Sequence, residues 1–553
     1  MKDPMKAKNK QDRFGGPPRK RLPKLCGADI ELGNFIVGID SGRSTGGEAA
    51  RALLREIDGL PRGTESYAAG YGSYRYNHRG YGGSSYNPQD WGRKWLTNGS
   101  CVYIDLDHLE LCLPEVISAY DHVAAWHAML RIARRAQTAA NGKLPAGQKY
   151  QVLINNSDGQ DHSYGSHLDF LITRKAWDAI FQRKLHPLLF LAAFQASSIV
   201  YTGQGKVGAE NGRPPVSFQL SQRADFMETL VSAETTFCRP VVNSRNEALC
   251  GRAAIADSAS RNMARLHVIF FDSTLCHVAS LLKVGVMQII LSMIEAECVG
   301  HDLLLDDPLL ATILWSRDPT LQARSRMLSG AQLTAVELQL LFLESARKFV
   351  ANGGCDGFVP RAGEILDLWE DTLVKLKARD FTALAPRLDW VLKLRTLVRA
   401  MQQRSALTWD SPEIKHLDHL YSSLDLSDGI YWAYEKAGLV ERLVSHEQIE
   451  HFTQEPPDDT RAYTRAMLLR KAGPEQVDDV DWDMIRLSEM DSGSRWPVNR
   501  TIDLADPLAF TRAETEKLFR EHANLSEILD ALEIPDGDKA IVQSAGHQLK
   551  YLN

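Results

Sequence analysis

Across 553 residues the chain holds only 8 cysteines, and no two of them are spaced as CxxC. That excludes a zinc ribbon and a thioredoxin-type redox motif. Cys26, Cys101, Cys112, Cys238, Cys250, Cys276, Cys298 and Cys355 read instead as free thiols of a reducing compartment. A strong excess of positive charge is missing as well: the formal net charge is -6, which argues against a nucleic-acid binder as a whole. No apolar run is read as reaching the roughly 18 residues that span a bilayer. The N-terminus has no apolar signal-peptide core, so a cytoplasmic location is expected. Walker A, HExxH and the nucleophile elbow with a Ser-His-Asp order are all absent.

What is present is an ordinary globular composition, 44% hydrophobic and 24% charged, long enough for several domains. Residues 1–24 carry Lys2, Lys6, Lys8, Lys10, Arg13, Arg19, Lys20, Arg21 and Lys24 against Asp3 and Asp12. They are expected to be a disordered basic tail, either solubilising or able to touch nucleic acid or an acidic partner. Residues 29–37 alternate as a strand does. An insertion over 41–95 begins with helical spacing at Gly47–Asp58. It then sets Tyr67, Tyr71, Tyr74, Tyr76, Tyr81 and Tyr86 among glycines. Such low complexity predicts a flexible segment, with or without a stacking role for its tyrosines. Further strands are expected at 101–106, 152–155, 168–173, 196–202, 216–220 and 266–271. Helices are expected at 116–139, 275–294, 319–328, 332–352, 363–378, 383–402 and 434–443. Strands early and helices late imply an α+β fold. A linker at Glu455–Asp459 divides a catalytic region, 25–455, from a small C-terminal domain, 456–553.

The residues able to do chemistry cluster on the strands. Asp29 and Glu31, two apart on one strand, point to the same face and can address one ion. Tyr103, Asp105 and Asp107 are expected to share a strand face, followed by His108, Glu110 and Glu115. His167 ends a loop rich in Asn, Ser, Asp and Gly, and His267 opens an apolar strand. Hard oxygen donors of this kind suit Mg²⁺ bridging the phosphates of a nucleotide. Acidic alternation on a half-exposed strand also occurs without any metal. Gly203–Gly208 fits GxGxxG, but Ala209–Pro215 cannot open the helix that a dinucleotide fold needs. A flexible glycine-rich turn near a nucleotide or peptide fits better.

These clusters resemble the family of Pup ligases and Pup deamidase/depupylases, relatives of glutamine synthetase and glutamate–cysteine ligase. The similarity runs from about Gly27 to beyond Trp482. It is carried by Leu96–Gly99, Tyr103–Glu115, Asn155–Asp158 with Ser163–His167, Thr202–Gly208, Phe218–Phe226, Glu234–Thr236 with Arg239-Pro240, Arg265–Ile269, Leu291–Glu295, Leu388–Val391 and Pro456–Tyr463. The resemblance implies a glutamine-synthetase-like antiparallel sheet core with surrounding helices, ATP and Mg²⁺ as cofactors, and Pup or a Pup-like modifier and its conjugates as partners. Asp105 is similar to the catalytic aspartate, attacking an amide carbon or activating water. Asp29, Tyr103, Glu110, His167 and His267, with Glu31 beside them, sit where the family places metal or phosphate contacts. Arg223, Arg239 and Arg245 are candidates for binding phosphate or carboxylate. Trp482 matches the tryptophan that packs near adenine.

His108 at plus three and Glu110 at plus five from Asp105 resemble the depupylase form, which implies hydrolysis of a C-terminal Gln or Glu side-chain amide or isopeptide. The alternatives are an ATP-consuming carboxylate–amine ligase and a non-catalytic homologue that binds nucleotide or modifier. Departures are Asp29 for glutamate, Cys101 for an arginine, Leu113 for a threonine, and Leu168-Asp169-Phe170 for Glu-Asn-Tyr. They leave room for a modifier or peptide other than Pup.

Overall fold

A computed structural model describes residues 20–39, 44–61, 93–246, 262–490, 497–522 and 524–532. The tyrosine-rich stretch and residues 1–19 of the basic tail lie outside the described residues. Among the described residues, twelve strands precede the helical half: β1 Cys26–Val37, β2 Leu60–Pro61, β3 Lys94–Trp95, β4 Cys101–Asp105, β5 His108–Cys112, β6 Lys149–Leu153, β7 Ser166–Thr173, β8 Lys206–Val207, β9 Phe218–Gln219, β10 Met227–Ser232, β11 Arg239–Asn243 and β12 Met263–Val268. The main sheet has the order β12-β7-β1-β5-β4-β3-β2, and β6 pairs with the second half of β1. Its ladders are antiparallel. The expected α+β fold with an antiparallel core is therefore what the chain forms.

Alternation along β1 divides the two faces of this sheet. Cys26, Ala28, Ile30 and Leu32 are buried in a hydrophobic core shared with the helices Ala119–Asn141, Leu185–Thr202 and His277–Glu295. Gly27, Asp29 and Glu31 take the opposite face, because successive side chains of a strand alternate. The ordered chain begins before the expected boundary at Leu25: Leu22 and Lys24 are fully buried, and Lys24 Nζ pairs with Glu295 at 2.6 Å.

Several expectations need correcting. Residues 196–202 are not a strand but the last turns of the helix Leu185–Thr202. That helix is buried nearly all round, so its sequence shows no polar stripe to betray a 3.6-residue period. It and His277–Glu295 are apolar and long enough to cross a membrane, but 83% and 100% of their apolar windows are buried within the protein. They are core helices. The expected helix at 319–328 is instead a loop ending in a short strand, Ser325–Arg326, and the helix nearby is Pro308–Ser316. The helix expected at 434–443 lies earlier, at Ile430–Lys436. The GxGxxG segment is buried scaffold: Gly203 caps the helix Leu185–Thr202, Gly205 packs on Trp390, and Lys206 pairs with Glu210 and Asp225.

Candidate active site

The polar face of the sheet assembles the site strand by strand. Tyr103 on β4 lies opposite Glu110 on β5, and Glu110 lies opposite Glu31 on β1. Asp29 on β1 faces His167 on β7, and Asp169 on β7 faces His267 on β12. Residues far apart in sequence thus form one row across five neighbouring strands. Asp107 does not join it. It follows Leu106 in a two-residue turn where both have positive φ, 71° and 43°. Its carboxylate rests where a Cβ on Gly47 would intrude.

Hydrogen bonds orient the row. Tyr103 Oη donates to Glu110 Oε1 at 2.5 Å, and His167 Nδ1 lies 3.0 Å from Asp29 Oδ2. His267 Nδ1 lies 2.8 Å from Asp169 Oδ1, and the two imidazoles stand edge to face with centroids 5.0 Å apart. With each Nδ1 engaged by a carboxylate, each Nε2 is left to face the cleft. A side chain on Gly165 would collide with both His167 Nε2 and Glu31 Oε1. Glycine there keeps open the space these two atoms share.

The acids repel one another. Burial pushes the Glu110 carboxyl well above its usual range, and Asp29, Glu31 and Asp105 add to the rise. Asp105 is raised by burial and then by Glu31, while remaining accessible at the mouth of the cleft. His167 is raised despite its burial, because Asp29 outweighs it. Asp169 is held far below the usual carboxylate range, since Arg265 and His267 overcome its burial. A group of carboxylates at such cost is what a cation would relieve. Among the described residues no three His, Cys, Asp or Glu side chains are already placed to hold a metal ion. The donor set nevertheless fits Mg²⁺, which commonly takes one or two carboxylates and completes its shell with phosphate and water.

The same cavity also holds cationic side chains. Arg223 is 1% exposed; its Nη1 donates to Tyr164 O and Ser163 Oγ, while Nε and Nη2 are buried without partners. Burial and then Arg239 lower its pKa to about 10. Arg239 spends its donors on the carbonyls of Thr235 and Ser163. A buried guanidinium with two unpartnered nitrogens beside a second one could hold an anion. The GxGxxG segment braces it: Gln222 Nε2 donates to Gln204 Oε1 and Gly205 O, and Asp272 accepts from the backbone of Gln204, Gln222 and Arg223.

Trp482 forms the far end. It sits edge to face with Trp95, centroids 4.8 Å apart, under the guanidinium of Arg465. Glu115 is not part of the acidic row. It is buried between Arg461 and Arg465 at 2.7 and 2.6 Å. Burial would raise its carboxyl, but the two arginines hold it down to about 2.

All of the residues predicted for catalysis, metal and cofactor binding, from Asp29 through Arg245 to Trp482, line a single cavity of about 560 Å³. Sequence reasoning missed Asp169, Arg265 and Arg93, which line it too. Two of them had a readable signal: Asp169 is two residues after His167 and Arg265 two before His267, hence on the same face. Arg93, over the Tyr103 ring at 4.5 Å, had none.

Known proteins share this chain's sequence and fold. A depupylase of Acidothermus cellulolyticus is 35% identical over 440 residues, 79% of this chain and 82% of its own. A Pup deamidase/depupylase of Mycolicibacterium smegmatis is 35% identical over 391 residues, 70% and 74% of the two chains. A Pup–protein ligase of Acidimicrobium ferrooxidans is 33% identical over 436 residues, 77% and 90%. The Pup ligase PafA, solved in complex with Pup, shares the fold with a TM-score of 0.70 at 24% identity, over 94% of this chain and 97% of that one. PafA in complex with ADP matches with a TM-score of 0.66 at 25% identity, over 78% and 90%. The Pup-ligase protein profile matches residues 60–486, most of the length, and the chain belongs to that family.

Proposed function

We propose that this protein is an Mg²⁺- and ATP-dependent hydrolase of the amide or isopeptide bond on the C-terminal Gln or Glu side chain of Pup or a Pup-like modifier. The observation that supports this reading is a single cavity lined together by acids, imidazoles and guanidinium groups. Relatives at 35% identity are named depupylase and Pup deamidase/depupylase, and the spacing of Asp105, His108 and Glu110 resembles the depupylase form.

In this reading Asp29, Glu31, Tyr103, Glu110, His167 and His267 hold Mg²⁺. Arg223, Arg239 and Arg245 take phosphate or substrate carboxylate, and Trp482 packs near the base. Bound there, Mg²⁺ and ATP supply positive charge and phosphate oxygens that organise the acidic wall. Asp105 stands at the mouth, where an amide carbonyl can reach it. It attacks the carbon itself or takes a proton from the water that does. If Asp105 attacks, the carbon–nitrogen bond breaks, the amine leaves with a proton, and water then hydrolyses the mixed anhydride to free Asp105. If water attacks directly, the same bond breaks in one hydrolysis. In both cases the oxygen of that water is consumed and a carboxylate remains on the modifier.

A ligase reading has its own support in the Pup–protein ligase relative, which is matched over 90% of its length. Incubating the protein with ATP, Mg²⁺ and an isopeptide conjugate separates the two. Release of free target with little steady ADP is expected, and Asp105→Asn should lower it at least a hundredfold, on the order of a lost general base or nucleophile. ADP formed in proportion to new conjugate would show the ligase, and full turnover by Asp105→Asn would remove Asp105 from catalysis.

A further inference from the structure

The turn joining β4 to β5 holds its first residue in a conformation that its side chain does not favour. Leu106 has φ 43°, in the left-handed region, and its neighbour Asp107 has φ 71°. Two-residue hairpin turns with positive φ at both positions take Asn, Asp and Gly, and an aliphatic residue there is strained. Among the described residues packing does not explain the leucine, because Leu106 is 70% exposed and belongs to no hydrophobic cluster there. The scaffold imposes the conformation all the same. Asn34 Nδ2 donates to Asp107 O at 3.0 Å and to Gly46 O at 2.8 Å, while Leu109 N donates to Asn34 Oδ1 at 2.8 Å. His108 Nδ1 is 2.8 Å from Leu32 O. Strain that the surroundings over-determine is characteristic of ligand clamps. Leu106 also lines the cavity, one residue from Asp105.

We infer that Leu106 is a specificity-determining residue that receives the aliphatic side chain of the amine leaving group, a lysine in an isopeptide conjugate. This rests on the hydrolase reading given above. With the scissile carbonyl at Asp105, the acyl part of the substrate occupies the cleft. The departing amine then extends outward across the turn. A lysine engaged in an isopeptide has lost its charge and presents a stem of methylenes, to which an exposed leucine is the apolar complement. An ammonia leaving group has no such stem. Leu106 therefore separates conjugates from simple side-chain amides.

Two substrates with the same modifier peptide test this, one ending in a primary γ-amide and one in the γ-isopeptide of a blocked lysine. The full chain is assayed with ATP and Mg²⁺ as parent, Leu106→Asn and Leu106→Met. Asn fits the turn better than Leu and removes the aliphatic group, whereas Met keeps it. The ratio of kcat/KM for isopeptide over amide is expected to fall about tenfold in Leu106→Asn, mainly through KM, and to stay within about twofold in Leu106→Met. Leu106→Asn should melt no lower than the parent, which a structural role for the leucine would not allow. Equal changes on both substrates would overturn the inference alone. A parent protein that cleaves neither would remove the hydrolase reading, and the inference with it.

Discussion

A buried guanidinium without a carboxylate is costly to the folded state, and Arg223 is one. Two of its nitrogens have no partner, and burial has already lowered its pKa to about 10. Its Nη1 holds Tyr164 O and Ser163 Oγ, and an anionic ligand in the cavity would supply acceptors to the other two nitrogens. Arg223→Met keeps the length and apolar stem and removes the charge. Because an unpaired buried ion is replaced by a hydrophobe of similar size, the variant should unfold at the same denaturant concentration or a higher one. Losing charge-assisted hydrogen bonds to phosphate should weaken nucleotide binding by roughly 2 kcal/mol, more than tenfold. Calorimetric titration with Mg²⁺ and ATP, beside urea unfolding, measures both effects. Lower stability with unchanged affinity would make Arg223 a structural residue.

At the scale of elements, Trp482 is placed by an ion pair that spans the chain. Its hairpin, Val477–Asp481 with Met484–Met490, shares a small core with Trp95, Cys101 and Cys112 of the main sheet. Arg465 ties the two together, donating to Glu115 Oε2, to Gly99 O at 2.8 Å and to Trp482 O at 3.1 Å. Removing one partner of a buried pair leaves uncompensated charge, so Glu115→Ala should cost about 3–5 kcal/mol. Two arginines lose their acceptor together. Urea unfolding of the full chain would show it, and a loss below about 1 kcal/mol would mean that water replaces the carboxylate.

No sequence pattern announces such a pair, since Glu115 and Arg465 are 350 residues apart. What was legible was whatever local alternation encodes. Asp29 with Glu31, and Tyr103 with Asp105, share faces because strands have a period of two. Their convergence with His167 and His267 came through family resemblance rather than periodicity. Asp107 was misplaced because a two-residue turn interrupts the alternation without a glycine to mark it. The helix Leu185–Thr202 was misread because an all-round apolar segment ending in Ile199-Val200-Tyr201-Thr202 looks the same as a buried strand.

Over the whole molecule, acid should unfold this protein through histidines remote from the cleft. Burial holds His122 and His277 down to about 3, with Lys283 beside the first and Arg442 and His446 beside the second. His127, packed against His277 with ring centroids 4.3 Å apart, also lies well below its usual value, by burial and then by His277. All three are neutral in the folded protein, while in the unfolded chain an imidazole titrates near 6.5. The unfolded state therefore binds the extra protons first as pH falls. The stability these groups provide is complete above about pH 6.5 and is lost progressively toward pH 3, at about 1.4 kcal/mol per pH unit for each. Asp459 works the other way. Burial and then Asp121 raise its carboxyl to about 6, so the folded state takes up that proton first and gains stability as pH falls through 6. The raised Glu110, Asp105 and His167 of the cleft act with Asp459, so the histidines' share is read by substitution. Measured without nucleotide, the urea midpoint of the parent should fall relative to that of His277→Gln from pH 7 to pH 5. His277→Gln cannot take up a proton and should remove its share of that slope. A difference between the two that is independent of pH over this range would mean that the imidazole reaches water without global unfolding.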